Sequence, residues 1–119
     1  MAKTIESILI GYLNGKGYTA YGEEPEKPPA VYLVVGKVGS GHENHIDSAV
    51  ITIRSYAVSM EQAAELNKHI KRIMLYELPE LSDIVGVYLN SDYPQADPDT
   101  RRYRYQAVYD ITYYEDYEE

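Results

Sequence analysis

The stretch from Ser59 to Leu78, with the sequence SMEQAAELNKHIKRIMLYEL, constrains the fold more than any other part of the chain. Its apolar residues recur at steps of three and four, which places them in one stripe along an α-helix. The stripe consists of Met60, Ala63, Leu66, Ile70, Ile73 and Met74. Ser59 and Gln62 are spaced as a capping box that predicts the start of the helix, and Pro79 predicts its end. Such a helix needs an apolar surface, which the rest of the chain is expected to supply as a sheet.

The patterns on either side predict a second helix and several strands. Residues 4–14 place apolar side chains on one helical face, and Gly15 and Gly17 follow as helix-ending residues. Runs rich in β-branched and aromatic residues predict a short edge strand at 18–21 and longer strands at 30–38, 47–57, 84–93 and 103–114. We therefore predict a single α+β domain over residues 1–119, with an acidic C-terminal tail at about 115–119. Its sheet is mostly antiparallel with four to five strands, and the two helices pack on one face.

Alternation along the strands predicts which side chains are buried. In the strand at 84–93, Val85, Val87 and Leu89 are assigned to the core face. The segment at 39–46, GSGHENHI, is polar and glycine-rich up to its last residue, so the run between the strands has no apolar anchor. It is therefore predicted to be a mobile loop at the tip of the first hairpin.

The composition predicts a soluble, cytosolic protein that does not retain nucleic acid. The chain has 11 basic and 19 acidic residues, giving a formal net charge of −8, and a surface of this sign repels phosphate backbones. The chain contains no cysteine, which excludes disulfides and thiolate metal sites and fits a reducing compartment. The run ILIGYL is too short for a signal peptide or a membrane span. Fourteen tyrosines, without phenylalanine or tryptophan, suit half-wet surfaces and interfaces.

Three groups resemble ligand sites but are better explained as loops or turns. GKVGSG at 36–41 lacks the Gly-Lys-Ser/Thr that opens a helix in phosphate-binding loops. His42, His45 and Asp47 lack the helical spacing of zinc ligands, although a metal-dependent subunit built from them is the alternative. The acidic pair in DPDT at 97–100 is not followed by calcium-loop spacing. With no recognisable catalytic set, the chain is predicted to be no enzyme and to have no catalytic, metal or cofactor-binding residue.

The candidate binding residues combine arginine with tyrosine. Arg101, Arg102 and Arg104 form the one dense basic cluster outside the long helix of an acidic chain. Alternation places a second set on the sheet face that the helices leave uncovered, namely Arg54, Tyr56, Tyr88, Arg104 and Gln106. Tyrosine and arginine together are typical of protein interfaces, so both sets are predicted to contact a partner. The alternative is a solvent-facing sheet with a solvated hairpin end.

The order and chemistry of these segments resemble the tail terminator, or tail completion, proteins of long-tailed bacteriophages and the related minor capsid and head-to-tail joining proteins. The likeness covers nearly the whole chain, from the early helix through the hairpin at 30–57 to the helix SMEQAAELNKHIKRIM. It is clearest in the ending DYPQADPDTRRYRYQAVYDITYY, where an acidic Asp-Pro turn precedes arginine and a strand that contains Tyr-Gln.

This resemblance implies a structural protein of the virion tail or of a prophage, assembled in the cytoplasm of the bacterial host. Family members form a ring, typically a hexamer, that caps the finished tail tube and joins it to the head connector. The implied partners are copies of the chain itself, the tube protein and the connector protein. DNA passes through the lumen without specific binding, and neither a cofactor nor a membrane is implied. The alternatives are a small head-completion or minor capsid protein and a non-viral protein-binding module without catalysis.

Overall fold

The computed structural model of the chain describes residues 4–96 and 102–114. It contains the helices α1 (Ile5–Gly15) and α2 (Met60–Arg72) and the strands β1 (Ala20–Tyr21), β2 (Tyr32–Glu43), β3 (Ile46–Ala57), β4 (Ile84–Ala96) and β5 (Tyr103–Tyr113). The strands form one sheet in the order β1-β2-β3-β5-β4, and each neighbouring pair is antiparallel except β1 with β2. This architecture confirms the predicted α+β fold with a mostly antiparallel sheet. The predicted acidic tail lies outside the described residues.

One apolar core holds both helices on the same face of the sheet. Leu9 of α1 and Ile70 of α2 belong to the same buried cluster as Ile51, Ile53 and Tyr109 of the central strands, and all five are 0% exposed. Burying five large side chains completely contributes on the order of 10 kcal/mol from removal of apolar surface, before the opposing loss of chain entropy. The core therefore fixes which face of the sheet remains without a helix.

The first helix begins and ends as its sequence predicts. The Thr4 side-chain oxygen accepts a hydrogen bond from the Ser7 N–H at 3.2 Å, which satisfies a donor that the first turn leaves without a partner. Gly17 has φ of +97°, a backbone conformation that glycine adopts without steric cost. The N–H of Tyr18 then bonds to the carbonyl of Leu13 at 3.2 Å, which closes the end of the helix.

The second helix starts at its predicted cap but changes geometry before its predicted end. The Ser59 side-chain oxygen accepts a hydrogen bond from the Gln62 N–H at 3.2 Å. After Arg72 the chain continues as a π-helical turn (Ile73–Glu77) and a 3-10 turn (Leu78–Glu80). The wider π turn keeps Met74 and Leu78 both buried, and Pro79 lies in the 3-10 turn, where a missing N–H is tolerated.

The prediction of a mobile loop at 39–46 is wrong. Strand β2 continues to Glu43 and β3 starts at Ile46, so the two strands are joined by Asn44 and His45 alone. These two residues have φ of 53° and 66°, as a two-residue hairpin turn with positive φ at both central positions requires. The polar composition of the segment concealed this turn, because asparagine supports a left-handed conformation without the glycine that usually marks it.

The assignment of Val85 to the core is also wrong. Ile84 pairs with Tyr113 and Gly86 pairs with Thr112, so Val85 is the extra residue of a β-bulge. Val85 is 47% exposed, whereas Val87, which follows the bulge, is 9% exposed and packs in the core as predicted. A bulge shifts the alternation by one residue, and a simple two-residue period cannot anticipate that shift.

Candidate functional site

The sheet face opposite the helices is the candidate functional site, and we call it the far face. Its side chains come from β2, β3, β5 and β4 in five rows that run across the strands. From the Ala57 end to the Asn44–His45 turn, the rows are Tyr32-Tyr56-Arg104-Gln95, Val34-Arg54-Gln106-Tyr93, Gly36-Thr52-Val108-Ser91, Gly39-Val50-Asp110-Tyr88 and Gly41-Ser48-Thr112-Gly86. We refer to the first as the tyrosine row, the third as the central row and the last as the glycine row.

The structure brings the sequence-predicted face residues together, as the rows above show. Their exposure differs, however, because Tyr88 is 67% exposed and Tyr56 is 1% exposed. Arg102 lies just before β5, at the tyrosine-row end of the far face, and Arg101 lies outside the described residues. The face is therefore open to a partner mainly at its glycine-row end and along β4, and the binding roles of these residues stay predictions.

The tyrosine row is a packed aromatic cluster. The rings of Tyr32 and Tyr56 stack with their centroids 4.4 Å apart and their planes at 5°, and Tyr21 meets Tyr32 edge-on at 6.1 Å. The guanidinium group of Arg102 lies 5.6 Å from the Tyr32 ring centroid, and that of Arg104 lies 5.9 Å from the Tyr56 ring centroid. Arginine over tyrosine adds a cation–π attraction to the area that is buried, so these arginines are part of the folded structure as well as of the surface.

The segment between β1 and β2 lies against this row and holds one of its two tyrosine hydroxyls. The Tyr32 hydroxyl donates a hydrogen bond to a Glu24 carboxylate oxygen of this segment, and Arg104 of β5 donates one to the Tyr56 hydroxyl at 3.0 Å. Burial raises the pKa of Tyr32, and its contact with Glu24 adds to the rise. Burial also raises the pKa of Tyr56, against the opposing effect of its hydrogen bond from Arg104. Both phenols therefore stay protonated where an exposed tyrosine would ionise.

Beside the tyrosine row, a side-chain relay crosses three strands. The Arg54 Nε–H donates to the Gln106 side-chain oxygen at 3.0 Å, and the Gln106 amide donates to the Tyr93 hydroxyl at 2.7 Å. Asp110, on the other side of the central row, accepts a hydrogen bond from the Asn90 amide at 3.3 Å. Within the described residues neither Arg54 nor Asp110 forms an ion pair, so each is a charge that is hydrogen-bonded to a neutral amide.

The glycine-row end of the far face is a shallow groove of about 320 Å³. Its floor is formed by small side chains and by backbone, including Gly39, Gly41 and Ser48, and Asp110 lies along it. The Tyr88 ring forms one wall and leans over Gly86, since a Cβ built at Gly86 would lie 3.4 Å from a Tyr88 ring carbon. Sequence alternation could have placed these small residues in one patch, but only with the bulges in β2 and β4 already known.

The helix-covered side contains one polar cluster that the sequence did not reveal. Asn67 of α2 is buried, and its amide donates to an Asp92 carboxylate oxygen at 2.9 Å. The Lys71 ammonium group lies 2.5 Å from the same oxygen. Nearby, burial and the negative charge of Asp92 raise the pKa of the buried Tyr109 hydroxyl. This cluster joins α2 to the edge strand β4 and so positions the Tyr88-bearing strand.

The histidine-rich hairpin forms a pair and a contact rather than a cluster of ligands. His42 Nδ1 lies 2.6 Å from an Asp47 carboxylate oxygen, and the ring centroids of His42 and His45 are 6.4 Å apart. Across residues 4–96 and 102–114, no three histidine, aspartate or glutamate side chains are placed to hold one metal ion. The acidic pair at 97–100 lies outside the described residues.

The far face offers aromatic, cationic and small-residue surface, which suits contact with another protein surface. In the part of the chain that the structure describes, no helix combines the length and the apolar composition that crossing a membrane requires. Comparison with known proteins identified no matching protein-family model and no matching curated protein.

Proposed function

We propose that the chain is a structural protein of a virion or prophage that caps the tail tube as a ring and joins it to the head connector. Its action would be assembly without catalysis, and its partners would be copies of itself, the tube protein and the connector protein. The ring, typically a hexamer in the family that the sequence resembles, would be located in the virion tail after assembly in the host cytoplasm. A small head-completion or minor capsid protein is the nearest alternative.

The observation that carries this proposal is the one-sided fold. Both helices pack on one face of the sheet, and the far face presents Tyr88, Tyr93 and Arg54 beside a groove. A ring subunit needs surfaces for two neighbours and for the ends of the tube and the connector, and the open part of the far face would supply one of these surfaces. The pairing of β4 with β5 also supports the likeness of the closing hairpin to that family.

The charge of the chain supports the same proposal. A net charge of −8 would let DNA move through a ring lumen without being held on its wall. The arginine cluster would help to orient the chain toward acidic partners, and Arg102 and Arg104 also contact the tyrosine row.

The test is to count rings on purified tail tubes by electron microscopy with matched tyrosine variants. Tyr88→Ala alters the far face, where Tyr88 is 67% exposed, and Tyr76→Ala alters an exposed tyrosine of the π-helical turn, which is 74% exposed. If the far face makes ring contacts, Tyr88→Ala and Arg54→Glu lower the fraction of capped tubes, while Tyr76→Ala leaves it near that of the wild type. Normal capping by both far-face variants would reject the proposed role of this face, and failure of the wild type to bind any tube would reject the function.

A peptide-binding module without a viral role is the second candidate, and one observation favours it. Strand β1 pairs only with Leu33 and Val34, so within the described residues the outer edge of β2 beyond Val34 has no neighbouring strand. An open edge of this kind can accept an extended peptide as an added strand. The location of the gene among tail and head genes, or away from them, separates the two candidates.

A further inference from the structure

The far face is uneven in height along its strands. At one end the tyrosine row carries large side chains, and Glu24 and Pro29 of the preceding segment contact Tyr32 and Arg102 there. At the other end the glycine row carries only small side chains and borders the groove of about 320 Å³. The two ends lie equally far from the central row, two row steps away in each direction. A raised end and a low end at equal distances from a centre make a surface that can fit a reversed copy of itself.

A two-fold axis that lies along the central row, across the strands, would produce this fit. It would turn a second copy so that its tyrosine row faces the glycine row of the first copy, and the reverse. The same axis would bring the row containing Arg54, Gln106 and Tyr93 opposite the row containing Asp110 and Tyr88. Since β3 would face β3 and β5 would face β5, the exposed ring of Tyr88 would meet Tyr93 of the other copy.

The charges on these two rows are complementary under the same operation. Arg54 lies on β3 and Asp110 lies on β5, on opposite sides of the central row. Arg54 is hydrogen-bonded to the side-chain amide of Gln106, and Asp110 is hydrogen-bonded to that of Asn90. Within the described residues, neither takes part in an ion pair. Each Arg54 would lie opposite the row of the other copy that contains Asp110. It would face β3 of that copy, and Asp110 is on the adjacent strand, β5. Two cross-copy ion pairs would form, one on each side of the axis.

We propose that two copies of this chain pair face to face through the far face, about a two-fold axis along the central row, with Arg54 of each copy bound to Asp110 of the other. Strands about 4.8 Å apart with a rise of about 3.3 Å per residue give this face roughly 700 Å² per copy. Because the tyrosine row is itself buried, the open area is smaller than the roughly 800 Å² per partner of a stable interface, so the pair is expected to be a weak one.

This pair is a form of the free chain, and it does not depend on the proposed role in the virion. It would occupy the far face before a ring forms, and the chain would exchange one contact of that face for another on assembly. The two proposals therefore have separate readouts: the pair is measured in solution with the chain alone, and the ring is measured on tubes.

The test uses two charge reversals that are each disruptive and are compatible with one another. In a two-fold pair, Arg54→Glu sets a carboxylate against a carboxylate at both contacts, and Asp110→Arg sets a guanidinium group against a guanidinium group at both. Each variant alone is therefore expected to dissociate at least tenfold more readily than the wild type at low salt. In a mixture of the two variants, a pair with one copy of each has two attractive contacts. At one contact the new carboxylate at position 54 meets the new guanidinium group at position 110, and at the other the native Arg54 meets the native Asp110. The mixture is therefore expected to form a one-to-one dimer, measured by sedimentation equilibrium or light scattering.

The controls separate this pairing from misfolding and from general charge effects. Arg72→Glu reverses an exposed charge on α2 and is expected to leave the dimer intact. Ser48→Tyr fills the low end without changing charge, and it is expected to weaken the pair at low and high salt alike. Circular dichroism melting of each variant excludes loss of the fold as the cause.

The outcomes are decisive in both directions. A wild-type dimer that each reversal breaks and that the mixture restores supports the pair. A wild-type chain that is monomeric at high micromolar concentration overturns it, and so does a mixture that stays monomeric or a mass above that of two chains.

Discussion

Tyr32 and Tyr56 stack in parallel, with 4.4 Å between their ring centroids and 5° between their planes, directly opposite each other on β2 and β3. Each ring also has an arginine guanidinium group near it, at 5.6 Å for Tyr32 and 5.9 Å for Tyr56. The chain has 14 tyrosines and neither phenylalanine nor tryptophan, and some of these tyrosines form a second, smaller core on the far face. The hydroxyl groups are accommodated there because Glu24 and Arg104 bind them.

The first prediction concerns this stack. Tyr56→Ala is expected to lower the free energy of unfolding by about 3–5 kcal/mol, because it leaves a cavity beneath Arg104 and removes the aromatic pair. Tyr56→Phe keeps the ring and loses the hydroxyl with its contacts to Arg104 and Glu24, so a loss of about 1 kcal/mol is expected. Urea unfolding of both variants measures the difference, and equal losses would show that the ring contributes little.

The second prediction concerns the turn at Asn44 and His45. His45 has φ of 66°, so His45→Gly is expected to raise the free energy of unfolding by up to about 1 kcal/mol, and His45→Val is expected to lower it. Hydrogen exchange gives an independent check, because the strand pairing of Gly39 to Glu43 is expected to slow amide exchange relative to a mobile loop. Uniformly fast exchange across these residues would contradict the hairpin.

The third prediction compares two valines on one strand. Val87→Ala is expected to lower the free energy of unfolding by about 2 kcal/mol, because Val87 packs in the core. Val85→Ala is expected to change it by less than about 0.5 kcal/mol, because Val85 is the exposed residue of the bulge. The reverse order of effects in thermal melting would place the bulge elsewhere on β4.

The fourth prediction tests the buried contact between α2 and β4. Asp92→Ala removes the acceptor of the buried Asn67 amide and is expected to lower the free energy of unfolding by about 1–3 kcal/mol. Lys71→Ala removes only a partly exposed ion pair with Asp92, so the expected loss is below about 1 kcal/mol. Similar losses for both variants in chemical denaturation would mean that the amide contact contributes little.

The fifth prediction is a loss of stability at alkaline pH. Burial raises the pKa values of Tyr32, Tyr56 and Tyr109 above the ordinary value of 10.0. Above pH 10 the unfolded chain therefore releases phenolic protons that the folded chain still holds, so stability is full below that pH and falls as the pH rises further. Melting temperature against pH measures this, and Tyr109→Phe is expected to make the decline shallower. Phenolate absorbance should show these tyrosines ionising together with unfolding; early ionisation of all tyrosines in the folded chain would contradict their burial.

The sequence predicted the elements well where one physical signal dominated. The apolar stripe and the cap at Ser59 located α2, and Thr4 and Gly17 marked the limits of α1. Local hydrogen bonds and side-chain periodicity determine these features, so they can be inferred without knowledge of the tertiary structure. The same signals could not predict the π turn after Arg72, which follows from how Met74 and Leu78 reach the core.

The candidate site was predictable only in part, because it depends on strand register. Alternation placed Arg54, Tyr88 and Gln106 on one face correctly. It could not predict that the segment containing Glu24 would contact the tyrosine row, since a charged, proline-rich segment carries no periodic signal. The groove was hidden for a related reason: Gly39 and Gly41, which line it, were assigned to a loop instead of to a strand.

The strand order β1-β2-β3-β5-β4 has a consequence for synthesis on the ribosome. Strand β5 is the last of the five in the chain, yet it lies between β3 and β4 and pairs with both. Until β5 emerges, β3 and β4 each present a long edge to solvent, and the core residues on them remain partly exposed. Such nascent intermediates attract chaperones and aggregate when translation stalls. Rare codons between β4 and β5 would therefore lower the yield of folded protein more than the same codons placed before α2.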